Sequence, residues 1–192
     1  MRSRLAGVVL FGLLAAVAAP RSDAQGWSRD SGHLGLVLEA AGEFGGDNLV
    51  KVFYTDGGSQ DIRAGQGVRL SIGAHYQPVS FPIDFAATVG YKFVRTADYH
   101  TDLGVDRVVF QFTGTYALPS HFWVDAGPVW HTATKLNGDG YIPDIKFDDA
   151  VGVTVGAGWR WIGVSYTNIR YSSPLTGGVD ASNGGVTFTW KF

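Results

Sequence analysis

Hydrophobic and polar residues alternate along most of this chain after its first two dozen positions. The alternation comes in blocks of roughly ten residues between turn signals, with no segment repeating at about 3.6. Successive side chains of an extended strand point to opposite faces, so each block predicts a strand with one apolar and one polar face. Eight blocks are read. In His33–Phe44, Leu34, Leu36, Leu38 and Ala40 oppose Val37, Glu39 and Glu43. In Gly67–Gln77, Val68, Leu70, Ile72, Ala74 and Tyr76 oppose Arg69, Ser71, Gly73 and His75. In Ile83–Arg95, Ile83, Phe85, Ala87, Val89, Tyr91 and Phe93 oppose Asp84, Thr88 and Lys92.

The fourth block, 105–118, sets Val108, Phe110, Phe112, Tyr116 and Leu118 against Arg107, Gln111, Thr113 and Thr115. The fifth, 122–135, sets Phe122, Val124, Ala126 and Trp130 against Asp125 and His131. In the sixth, 149–161, Val151, Val153, Val155, Ala157, Trp159 and Trp161 oppose Gly152, Thr154, Gly156, Gly158 and Arg160. The seventh, 163–172, has Tyr166 and Arg170 on one face and Ile169 and Tyr171 on the other, which leaves its register open. The eighth, 184–192, puts Val186, Phe188, Trp190 and Phe192 on one face and Gly185, Thr187, Thr189 and Lys191 on the other.

Connection lengths alternate. Segments 78–82, 119–121 and the turn around Ile162 are short, whereas 45–66, 96–104, 136–148 and 173–183 are long and hold most of the Gly, Asp and Asn. Within the first long connection, Leu49 to Tyr54 reads as a strand extending the first hairpin, with Asp56-Gly57-Gly58 as its turn. Short turns at one end and long loops at the other, around an even strand number, are the layout of a transmembrane barrel.

Alternation also suits a soluble barrel or sandwich with the apolar face inside. Three features favour the apolar face outside. The polar faces are rich in Gly, Thr and Ser with charges of both signs, which suits a narrow packed interior. Aromatic residues sit toward strand ends, with Tyr76, Phe122, Trp159, Trp161 and Trp190 near short turns and Tyr91, Phe93 and Trp130 near long loops, as interfacial belts do. An unpaired final strand carrying Phe188, Trp190 and Phe192 would be an aggregation-prone edge, which closure onto the first strand removes.

The N-terminus supplies a compartment. Arg2 and Arg4 precede an apolar run from Leu5 to Ala19, followed by the small-residue exit Ser22-Asp23-Ala24. That is the three-part build of a secretory signal peptide over 1–24, leaving 25–192 as one barrel domain. The run is shorter than the ~20 residues of a spanning helix. With no cysteine, neither a disulfide framework nor a lipidated N-terminal Cys is available. A net formal charge of −2, lowered further by loss of 1–24, gives no basic footprint for nucleic acid.

On these residues the chain resembles the small bacterial outer-membrane β-barrel proteins of eight strands. The resemblance implies an all-β, eight-stranded antiparallel up-and-down transmembrane barrel, monomeric, in the bacterial outer membrane. It also implies contact with outer-membrane lipid and lipopolysaccharide, and a last strand ending in Phe192 that the barrel assembly machinery reads. The expected role is structural or a surface interaction through the long loops, without enzyme activity or cofactor. The alternatives are a lipid A-modifying hydrolase and a narrow channel for small or hydrophobic molecules.

Candidate chemistry is sparse. In the lumen, Glu43, Arg69, Lys92 and Arg107 fall toward the long loops, and His75, Asp84, Asp125, Arg160 and Lys191 toward the short turns. Buried charge needs partners, so they are expected to form a salt-bridged plug, with Asp125 and Arg160 as one pair. A proton or ion path is the functional alternative. From Tyr166 onward the chain is similar to the C-terminal part of outer-membrane lipid A deacylases, which use a His-x-Ser pair. The matching residues are Arg170, Tyr171 and Ser172, and Asn183-Gly184-Gly185 is similar to that family's end. Arg170 stands at the histidine position and cannot act as a general base. Asn137-Gly138-Asp139-Gly140 with Asp144 and Asp148 lacks EF-hand spacing and its closing Glu. Asp47, Asp56, Asp61, Asp98 and Asp102 read as solvated loop charges, with divalent bridging to lipopolysaccharide phosphates as the alternative. No catalytic, cofactor-binding or metal-binding residue is assigned.

Overall fold

The computed structural model describes residues 32–53, 57–95, 103–140, 142–175 and 177–192. The expected signal peptide 1–24, Tyr54, Asp56, Asp98 and Asp102 lie outside them. Among the described residues thirteen strands follow in chain order: β1 (His33–Phe44), β2 (Asn48–Phe53), β3 (Ser59–Arg63), β4 (Gly67–Gln77), β5 (Ile83–Arg95), β6 (Gly104–Ala117), β7 (Phe122–Asn137), β8 (Ile145–Lys146), β9 (Ala150–Trp159), β10 (Ile162–Asn168), β11 (Arg170–Ser173), β12 (Gly177–Asp180) and β13 (Asn183–Lys191). Eight of them, β1, β4, β5, β6, β7, β9, β10 and β13, form one antiparallel ring. β6 pairs with β7 and β1 with β13, so the sheet closes on itself.

The closing seam runs from Val37 opposite Lys191 to Phe44 opposite Gly184. Beyond it, Leu36 and Phe192 exchange backbone hydrogen bonds of 3.1 and 2.9 Å. The polar faces of the blocks point inward and the apolar faces outward. Leu70, Ile72, Val89, Phe110, Phe112, Val153 and Val164 are exposed, while Arg69, Asp84, Lys92, Arg107, His131 and Thr187 are buried. A closed barrel with this apolar exterior fits hydrocarbon, where every backbone donor and acceptor must be satisfied within the protein.

The aromatic residues of the outer wall stack into ladders. Trp161, Phe188 and Trp190 stack at 5.7–6.5 Å between ring centroids, and Phe81, Phe85 and Phe112 at 6.0 Å.

Several boundaries differ from the pattern for physical reasons. The β9–β10 connection turns at Arg160-Trp161, with Ile162 already paired to Trp159. Arg160 has φ +53°, the left-handed backbone that a two-residue hairpin turn demands. In β7 an irregularity at Ala133, φ +52°, shifts the alternation by one, so Thr134 and Leu136 point inward after His131. The seventh block is two elements: β10 ends at Asn168, and β11 leaves the wall to pair with β12. Its open register resolves with Val164 and Tyr166 outward and Thr167, Ile169 and Tyr171 buried. The expected hairpin extension forms as β2 and β3.

The orientation of the wall has a direct test. Val89 lies mid-strand on the outer face and Thr88 beside it on the inner one. Val89→Arg should destabilise the barrel by ~2–4 kcal/mol, the cost of a cation at the bilayer midplane, as read by denaturant unfolding in lipid vesicles. A smaller loss for Val89→Arg than for Thr88→Arg would mean that the faces are inverted.

Candidate functional site: a loop-built head over a charged lumen

The lumen is filled unequally from its two sides. β1, β4, β5 and β6 send long polar side chains inward, including Glu39, Glu43, Arg69, His75, Asp84, Lys92 and Arg107. The facing wall offers small ones: Gly152 and Gly156 on β9, Ser165 on β10, and Gly185 and Thr187 on β13. Toward the short turns Trp123 fills this wall, and a Cβ at Gly158 or Gly163 would meet its indole at 2.2 or 2.5 Å. Glycine is therefore required at both positions by close approach.

The charges form two clusters. In the upper one Arg69 donates to Glu43 at 3.1 Å, to Glu39 at 3.0 Å and to the Ser71 hydroxyl at 3.0 Å. Lys92 donates to Glu43 and to the Gly65 carbonyl. Arg107 donates to the carbonyls of Ala64 and Gln66. Lys92 and Arg107 are fully buried. Their acceptors come largely from residues 64–66, the turn between β3 and β4, which lies across the lumen mouth. That segment approaches closely enough that a Cβ at Gly65 would meet the carbonyls of Ala181 and Ser182 at 2.6 and 2.8 Å. In the lower cluster Asp84 accepts from His75 Nδ1 at 3.1 Å and from Lys191 Nζ at 2.7 Å.

The expected plug is thus present, with one correction: Asp125 and Arg160 do not pair. Arg160 belongs to the turn, and its guanidinium lies 4.5 Å from the Trp159 ring centroid on the exposed side. Its backbone is engaged instead: its N–H donates to the His121 carbonyl, and its carbonyl accepts from Trp123. Asp125 stays inward against Gly156.

Above the charges the loops build an apolar core that the alternation did not foretell. Ile62 and Ala64 from the β2–β3 region, Phe147, Ile169, Tyr171, Val179 and Ala181 pack against Val94, Val105, Val109, Val129, Leu136 and Ala150 of the wall. Tyr171 ties the layers together. Its hydroxyl bonds His131 Nδ1, and the Arg107 guanidinium lies 5.9 Å from its ring centroid. The described loop residues therefore form a packed head, with Phe53 and Leu175 both 75 % exposed.

Several of the described loop carboxylates have internal tasks. Asp47 accepts from the Asp180 N–H at 2.9 Å. Asp144 accepts from the Gly138 N–H at 2.9 Å and pairs with Lys135 at 2.8 Å, contacts that hold its carboxyl below the usual range. The Ser182 side chain and N–H do the same for Asp180. The glycine-rich 137–140 turn thus closes on its own Asp144, and no group of three or more His, Cys, Asp or Glu is placed to hold a metal among the described residues.

The deacylase-like residues are not assembled for hydrolysis. Ser172 is exposed and donates to Asp148 at 2.9 Å. Arg170 lies opposite Asp180 in the β11–β12 ladder. His131 points into the barrel and is bonded to Tyr171, which faces the side of β11 away from Ser172. A serine without a positioned base is a weak nucleophile.

No family model and no curated protein matches the chain. Among solved structures it is similar to the crystal structure of Ail, the attachment invasion locus protein of Yersinia pestis. That match has 7% identity and a TM-score of 0.41, covering 84% of this chain and 99% of the other.

The clusters make two predictions. Glu43→Ala leaves Arg69 with Glu39 alone and Lys92 without a carboxylate, and should cost ~3–5 kcal/mol of unfolding free energy in vesicles. Asp125→Asn and Arg160→Ala should be additive in a double-mutant cycle, within ~0.5 kcal/mol. A larger coupling would restore the pair that the turn geometry breaks.

Proposed function

We propose that the protein is an integral barrel of the bacterial outer membrane whose role is structural or a surface interaction carried by the loop head. One observation supports this reading above the others: the described loop residues close over the lumen and pack into a head. Arg107 and Lys92, both fully buried, bond the backbone of residues 64–66 across the mouth, and the apolar core closes over them. A sealed mouth does not favour a conduit. The packed head carries exposed Phe53 and Leu175 on its two-stranded hairpins, and it is the part of the chain that this reading assigns to a partner surface. The outer wall would meet outer-membrane lipid and lipopolysaccharide. On this reading the barrel is a monomer, and the assembly machinery handles its last strand during insertion.

Epitope tags and conductance test the proposal together. A tag after Gly57 or Gly138 should be accessible on intact cells, and a tag between Pro119 and Ser120 only after the membrane is opened. In planar bilayers the protein should show no steady conductance above background. Reversed tag accessibility would overturn the surface role, and reproducible single-channel steps would overturn the sealed lumen.

A further inference from the structure

The short-turn mouth of the barrel holds a histidine arrangement that the salt-bridged plug does not explain. His75 is 6% exposed, its Nδ1 is taken by Asp84, and its Nε2 is buried with no hydrogen-bond partner. A buried polar atom left unpaired asks for a missing partner. Nε2 lies against the bare face of Gly35, where a Cβ would stand 2.5 Å from it and 1.9 Å from the Phe192 carbonyl oxygen. His33, two residues before Gly35, projects to the same side, and its ring is edge-on to that of His75 with centroids 5.5 Å apart.

We propose that His33 and His75 form a two-histidine site for a divalent transition metal, Cu2+, Zn2+ or Ni2+, with Asp84 as the carboxylate that orients His75. Three features carry it. With metal–nitrogen bonds of about 2.0–2.1 Å, two ligating imidazoles hold their ring centroids roughly 5.2 Å apart at a tetrahedral angle and roughly 4.5 Å apart at the right angle of a square-planar site, so the 5.5 Å found lies nearest the tetrahedral arrangement. A histidine that ligates through Nε2 commonly gives its Nδ1–H to a carboxylate, which fixes ring and tautomer, and Asp84 fills that place. Imidazole nitrogen is the donor these metals prefer among the side chains present, copper most strongly. Lys191 shares Asp84 through the other carboxylate oxygen, so the cation beside the site is already neutralised. His33 is exposed, and a metal held by two protein nitrogens would take water in its remaining coordination positions. The site is therefore labile rather than a closed structural one. It does not depend on which compartment the mouth faces.

The test is titration of the untagged protein in detergent micelles with Cu2+ alone, followed by electron paramagnetic resonance, and competition with Zn2+ and Ni2+. One equivalent should bind, with nitrogen hyperfine structure from two imidazoles. His33→Gln, at an exposed position where folding is not at risk, and His75→Gln should each weaken binding at least tenfold. Asp84→Asn should weaken it ~10–100-fold, all three variants keeping the heat-modifiable gel mobility of a folded barrel. His121→Gln, at a separate turn, should change nothing. Absence of stoichiometric binding, wild-type affinity in either His33→Gln or His75→Gln, or wild-type affinity in folded Asp84→Asn would each overturn the assignment.

Discussion

The seam between β1 and β13 is the constraint on which the rest of this structure depends. A sheet in hydrocarbon cannot leave an edge, because each unpaired N–H or C=O there costs several kcal/mol. The register from Val37 opposite Lys191 to Phe44 opposite Gly184 satisfies both edges at once. It also fixes which residues meet inside. Lys191 reaches Asp84 on β5 because the last strand is held beside the first. A slip of one residue would exchange Lys191 with Trp190, turning a charge to the lipid and an indole into the lumen.

Closure creates a narrow lumen that side chains must fill. The chain fills it with long charged side chains from one half of the ring against mostly glycine, serine and threonine from the other, where Asp125, His131 and Lys191 are exceptions. Burying an ion pair is seldom a source of stability in itself. Here the upper pairs also supply donors to backbone that has no sheet partner. Lys92 and Arg107 bond carbonyls of residues 64–66, joining lumen to head.

The wall was legible in the sequence because a period of two is a local property. Block boundaries for β1, β4 and β5 emerge to the residue, since flanking glycine, proline and charge mark them. Faces held wherever the alternation was unbroken. The bulge at Ala133 was hidden because a single left-handed residue leaves no compositional trace. Arg160 was assigned to the lumen by parity, yet it is a turn residue, and a turn cancels parity. The apolar head escaped notice because Ile62, Phe147, Tyr171 and Val179 are scattered across four segments and become neighbours only through tertiary packing. His33 and His75 likewise share no spacing motif; strand register alone brings them together.

The distribution of the upper charges along the chain bears on the order of events during folding. Glu39 and Glu43 lie on β1, Arg69 on β4 and Lys92 on β5, three strands consecutive in the ring on one side of the seam. Their mutual neutralisation needs nothing from the second half of the ring. A nascent half-sheet can therefore carry its carboxylates and cations into an apolar phase already matched, as a nearly neutral surface. Only Asp84 must wait for the last strand to deliver Lys191, which makes that contact a reporter of completed closure.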